Sequence, residues 1–123
     1  MWDERTDGSD AYYQLEDQTD TATILGSKVL VANGHMTVSP DGRWILTDEY
    51  PDDQGNRPVL LYRLADGWHA EVARVHSPMP EDGTLRCDLH PRWNRDGRQV
   101  CIDSIHEGNR HMYVLDVPRI VER

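Results

Sequence analysis

Ser39-Pro40-Asp41-Gly42-Arg43-Trp44-Ile45-Leu46-Thr47-Asp48 and Asn94-Arg95-Asp96-Gly97-Arg98-Gln99-Val100-Cys101-Ile102-Asp103 are two copies of one pattern. In each, an Asp-Gly turn leads into an apolar strand that closes on an aspartate. Pro40 presets φ for its turn, and the glycine accepts a φ that other residues resist. The copies lie 55 residues apart, the same distance that separates His35 from His90. Two strands therefore begin with the same potential ligand just ahead of the same turn. A repeat of this length signals a stacked or radial architecture rather than a conventional single core.

Working outward, Asp48 is followed by a polar loop and then Val59-Leu60-Leu61-Tyr62. Asp103 is followed by Ser104 to Arg110 and then Met112-Tyr113-Val114-Leu115. Trp2-Asp3, followed by Glu4 to Asp10 and Ala11-Tyr12-Tyr13-Gln14-Leu15, reads as a partial third copy. The complete copy predicts an antiparallel meander with strands at about Met36–Val38, Arg43–Asp48, Val59–Leu64 and Ala70–Val75. No window carries a sustained apolar helix pattern. The expected fold is all-β, a β-propeller fragment of about two and a half four-stranded antiparallel blades. Residues 1–33 form a partial blade, 34–77 a complete one, and 86–123 the last.

Composition is that of a polar globular β protein: 37% hydrophobic residues with no Phe, and 28% charged. Twenty-two acidic against 13 basic residues give a net charge of -9. That excludes a nucleic-acid partner, which needs a basic stripe. It also disfavours capture of an acidic polymer unless a cation bridges the two, although the excess also serves solubility alone. The longest apolar runs are a few residues, so no membrane span is expected. Met1-Trp2-Asp3-Glu4-Arg5 lacks the features of a signal peptide, so the expected compartment is the cytoplasm, with a secreted or periplasmic parent as the alternative. Cys87 and Cys101 form no CxxC pair, which rules out a zinc ribbon. Cys101 reads as a small buried filler, with a Cys87–Cys101 disulfide as the other option.

Candidate chemistry follows from the meander. The start of a first strand and the loop between the second and third strands lie at one end. His35, His90 and the loops Tyr50–Asp53 and Ser104–Gly108 therefore share a face. The first strand of a propeller blade is innermost, which brings both imidazoles toward a common axis. Asp88 precedes His90 by two residues, and residues two apart in an extended segment point the same way. His35, Asp88 and His90 are thus the candidate ligands of a divalent metal. In the competing reading each histidine packs in its own blade and bonds to the adjoining loop. Arg92 is expected to face the channel, for a forked grip on a carboxylate or for a salt bridge to a neighbouring blade. Arg92, His106 and Tyr50 complete the candidate substrate contacts. His69 and His76 flank an outer strand and are expected in solvent, and His111 is expected to be structural. Trp44 and Trp93 are expected in the core between blades.

Gly34-His35-Met36-Thr37-Val38-Ser39-Pro40-Asp41-Gly42-Arg43-Trp44 with Thr47-Asp48-Glu49-Tyr50-Pro51-Asp52 resembles the C-terminal blades of oligogalacturonate lyase-like (TolB-like) propellers. Arg86-Cys87-Asp88-Leu89-His90-Pro91-Arg92-Trp93 with Asp103-Ser104-Ile105-His106-Glu107-Gly108 resembles the blade after it. The resemblance implies a propeller that cleaves uronic-acid oligosaccharides by β-elimination, a carbon–oxygen lyase. It implies an axial divalent ion, Mn2+ first and Zn2+ or Ca2+ as alternatives, held by histidines and a glutamine. His35 and His90 match two of those histidines. Asp88 stands where a further His is usual, and Leu85 stands near the Gln. The catalytic base is implied in a blade ahead of the first metal histidine, outside these residues, so this segment alone is expected to be inactive. The alternative function is a non-catalytic TolB-like module binding a protein or carbohydrate. Open blade edges are expected to favour self-association.

Overall fold

The computed structural model describes residues 2–4 and 10–122, with side chains described for 11–122. The chain is all-β, in three antiparallel sheets, and divides into two compact units, Met1–Gly34 and His35–Arg123. The first unit holds β1 (Trp2–Glu4), β2 (Asp10–Leu15) and β3 (Ala22–Leu25), paired in sequence order. β1 and β2 match the segments expected of a partial third copy, and β3 adds a strand beyond them. The loop expected between β1 and β2 falls on residues 5–9, outside the described residues. No helix among the described residues is long and apolar enough to cross a membrane.

The second unit carries the repeat. Its four-stranded sheet is β4 (Met36–Val38), β5 (Trp44–Asp48), β6 (Asn56–Arg63) and β7 (His69–His76), in that order. Its three-stranded sheet is β8 (Arg92–Trp93), β9 (Gln99–Ser104) and β10 (His111–Asp116). A single helical turn, α1 (Pro118–Val121), follows β10.

Both Asp-Gly turns are built identically. Gly42 N–H donates to Ser39 O at 2.9 Å, and Gly97 N–H to Asn94 O at 3.2 Å. The Asp41 and Asp96 carboxylates accept from the N–H two residues on, Arg43 and Arg98, at 3.0 and 2.9 Å. Gly42 and Gly97 sit at φ 74° and 71°, where a side chain is strained.

β6 begins three residues earlier than expected and runs through Pro58. The Asp52 side chain accepts from Gln54 N–H and Asn56 N–H, which turns the chain early into the strand. The proline is tolerated next to a bulge at Val59/Leu60, where strict ladder pairing is already relaxed.

Alternation sets the core. Trp44 and Leu46 on β5 share a face with Val59 and Leu61 on β6. They pack against Leu89, Val100, Ile102, Val117 and Val121. Trp93, Tyr113 and Leu115 join from β8 and β10; of the two tryptophans expected in the core, Trp44 is fully buried and Trp93 packs half-buried against that core. The other face of the three-stranded sheet, with Met112 and Val114, is exposed. His69, His76 and His111 are exposed. Both cysteines are free, which overturns the disulfide option, and Cys87 rather than Cys101 is the fully buried one.

Candidate metal centre

The site starts from a carboxylate on the wrong side of a strand. Trp44, Leu46 and Asp48 alternate onto the core face of β5, and Asp48 is fully buried. A buried carboxylate is costly unless it is hydrogen-bonded. His35 meets that need twice: its backbone N–H donates to Asp48 Oδ1 at 2.6 Å, and its Nδ1 lies 3.1 and 3.2 Å from Oδ1 and Oδ2. Asp48 thereby accepts the Nδ1–H hydrogen bond, which leaves His35 Nε2 unprotonated as the ligating nitrogen. A carboxylate behind a histidine in this way is the usual orienting partner of a metal ligand.

The opposing wall is residues 87–90, tied down at two points. Cys87 O accepts from Ser77 Oγ at 2.7 Å, and Leu89 O accepts from Asp103 N–H at 2.9 Å. Leu89 plugs the core, while Asp88 and His90 on either side of it turn toward His35. The backbone here is not the extended strand expected. His90 adopts φ 41°, a conformation uncommon for a non-glycine residue.

Asp88 has two arginine partners. Arg57, fully buried, donates through Nη1 to Oδ1 at 2.8 Å and through Nε to Ser77 O at 2.6 Å. Arg86 Nε donates to Oδ2 at 3.0 Å. Burial pushes the Asp88 pKa up, but the Arg57 hydrogen bond and charge, with Arg86 and His35, outweigh it and leave the carboxyl below its usual range. Burial pushes the Cys87 thiol pKa up, with Asp103 and Asp88 adding to the rise and Arg110 and Arg57 opposing it.

The three expected ligands converge. One ligand atom from each of His35, Asp88 and His90 lies within 4.8 Å of the others. His35 Nε2 is 3.9 Å from Asp88 Oδ2, and the two imidazole centroids are 4.0 Å apart. Metal–ligand bonds of about 2.1 Å hold two ligand atoms at most about 4.2 Å apart, so a bound ion requires only a small inward movement. Each Asp88 oxygen keeps a lone pair beyond its arginine bond. The nitrogen–oxygen donor set fits a divalent ion such as Mn2+ or Zn2+.

The other expected contacts divide. Tyr50 stands edge-on to His35 with centroids 6.0 Å apart, on the same face. Arg92 is spent inside its own sheet, donating to His90 O and Asp103 Oδ1 at 3.0 Å each. That corrects the expected channel-facing fork: the nearby Asp103 carboxylate and His90 carbonyl capture the guanidinium locally. His106 bonds Ser104 Oγ at 2.7 Å and stacks on Tyr113 at 4.4 Å. Tyr113 in turn donates to Glu107, which raises its pKa to about 12. His106 thus braces its loop and makes no contact with the three ligands. Asp48, Arg57 and Arg86 were not singled out by the sequence reading. The readable signal was Asp48, an acid in register with Trp44 and Leu46 on an otherwise apolar strand.

Comparison with protein families, curated proteins and solved structures finds no match to this chain.

Proposed function

We propose that His35, Asp88 and His90 hold a divalent cation that captures the carboxylate of a uronic-acid oligosaccharide, as the metal-bearing part of a lyase-like β-propeller. The observation that carries this reading is the convergence of three ligands, two histidines and an aspartate, from the segments that lead into two consecutive sheets. It is supported by Asp48 behind His35 and by the uncommon φ of His90. The 55-residue repeat and the stacking of two meanders through one core support the propeller architecture.

The bound cation would supply Lewis-acid charge, neutralising the uronate carboxylate and acidifying the adjacent C–H. Asp48 fixes the His35 tautomer and aims Nε2. Arg57 holds Asp88 ionised in a buried position. Tyr50 forms an aromatic wall beside His35 on which a sugar ring can rest. In the elimination, the proton on C5 leaves to a base, the C4–O bond breaks, and a C4–C5 double bond forms. The residues named here bind and orient the substrate.

The non-catalytic reading has one observation in its favour. Both Asp88 oxygens already carry arginine partners, as in a structural ion pair. Galacturonate titrated with Mn2+ and with a chelator separates these readings. Mn2+-dependent binding that is lost in His90→Ala supports the cation site. Equal binding in chelator overturns it. Ultraviolet absorbance of an unsaturated product from oligogalacturonides then marks a lyase, and binding without it marks a module.

A further inference from the structure

We infer that Arg86 and Arg110 form an anion subsite next to the cation cluster, which takes a second carboxylate of a multiply charged ligand. This rests on the reading that the cluster itself holds a cation and one carboxylate.

A groove of about 590 Å³ is lined by Gly83, Thr84, Arg86, Asp88, His90 and Arg110. It shares Asp88 and His90 with the cluster, so a ligand on the metal extends directly into it. The volume lies within the roughly 300–1,000 Å³ usual for small-ligand sites, well beyond what a lone carboxylate needs.

The groove is positive in a chain with a net charge of -9. Its one acid, Asp88, is shared between buried Arg57 and Arg86, so a single negative charge serves two guanidinium groups while Arg110 adds a third positive charge. Arg86 is positioned by its Nε bond to Asp88, and its two Nη groups bond to none of the described residues. Arg110 Nη2 donates to Arg86 O at 2.9 Å, and no described carboxylate pairs with it. Arg110 differs in this from Arg57, Arg63, Arg74, Arg86, Arg92 and Arg98, each of which is matched to an acid. Two guanidinium groups held in one groove repel each other, and an anion between them reverses that cost. Their planar forks suit a carboxylate. A ligand with one carboxylate on the cation and the next on Arg86 and Arg110 is an acidic oligomer, not a single sugar acid.

Calorimetry with galacturonate and digalacturonate in Mn2+, on wild type and Arg110→Ala, tests this. Arg110 is exposed, so its loss leaves the core untouched. We expect wild type to bind the dimer about tenfold more tightly than the monomer, the worth of one charge-assisted contact. Arg110→Ala should erase that preference and leave monomer and Mn2+ affinities unchanged. A wild type with no dimer preference, or a variant that binds the dimer as wild type does, overturns the inference. Mn2+ titrated without sugar reports the cation reading separately. No Mn2+ binding overturns both, whereas Mn2+ binding with an Arg110-insensitive dimer overturns only this subsite.

Discussion

His35 and His90 stand at equivalent points of the same repeat, yet their surroundings share almost nothing. Behind His35 stands Asp48, buried and bonded to it. At the equivalent place behind His90 stands Asp103, which turns to Arg92 instead. The contrast extends along the whole face. Val59 is 0% exposed and its counterpart Val114 is 63% exposed; Arg57 is 0% exposed and its counterpart Met112 is 72% exposed. The cause is coverage. The face of β5 and β6 that bears Trp44, Leu46, Asp48, Arg57 and Val59 is covered by the next sheet and the segment leading into it. The matching face of β9 and β10 has no such cover among the described residues of this unit. The lesson is that the repeat specifies strands and turns, while the site belongs to the junction between consecutive sheets.

The largest test of that contrast is Arg57→Met. It leaves Asp88 without its buried partner and Ser77 O without a donor, and should cost about 3–5 kcal/mol in denaturant unfolding. Met112→Ala, at the equivalent position, should stay within about 0.5 kcal/mol. Equal costs would break the comparison.

Val59→Ala and Val114→Ala make the same point with identical chemistry. Removing two buried methyl groups at Val59 should cost about 2 kcal/mol, and at Val114 close to nothing. A comparable loss at Val114 would mean that its face is covered in solution, by another copy or another sheet.

Acid titration sharpens the account of Asp88. Its folded pKa is depressed below the unfolded value, so it contributes stability above about pH 4, and that contribution is lost as pH falls through the folded pKa. Asp88→Asn should therefore be less stable than wild type at neutral pH and should lose less on going to about pH 3. Parallel stability–pH curves for the two proteins would show that Asp88 is not held ionised by its arginines.

Much of the fold was legible because it is written locally. The two Asp-Gly turns carry their own hydrogen-bond chemistry, and the strands beside them are short and apolar. The pairing of His35 with His90 was legible from the 55-residue offset, whereas Asp88 and His90 do not share one side of an extended strand, since His90 adopts φ 41°. Arg57 was not legible, because Asn56-Arg57-Pro58 reads as polar loop until the Asp52 turn and the bulge draw it into β6. Arg92 was misplaced for a related reason. Its partner Asp103 lies on the adjacent strand, and no spacing rule along the chain announces that pairing.

Calorimetric titration of Mn2+ into wild type, Asp48→Asn and Asp103→Asn tests the proposed cation site between the two sheets. Asp48 would act on a bound ion only through His35, and its equivalent Asp103 should not act on it at all. The expected result is a single site in wild type, affinity about 10–100-fold weaker in Asp48→Asn, and no change in Asp103→Asn. No binding in wild type, or equal affinities in all three proteins, would rule the site out.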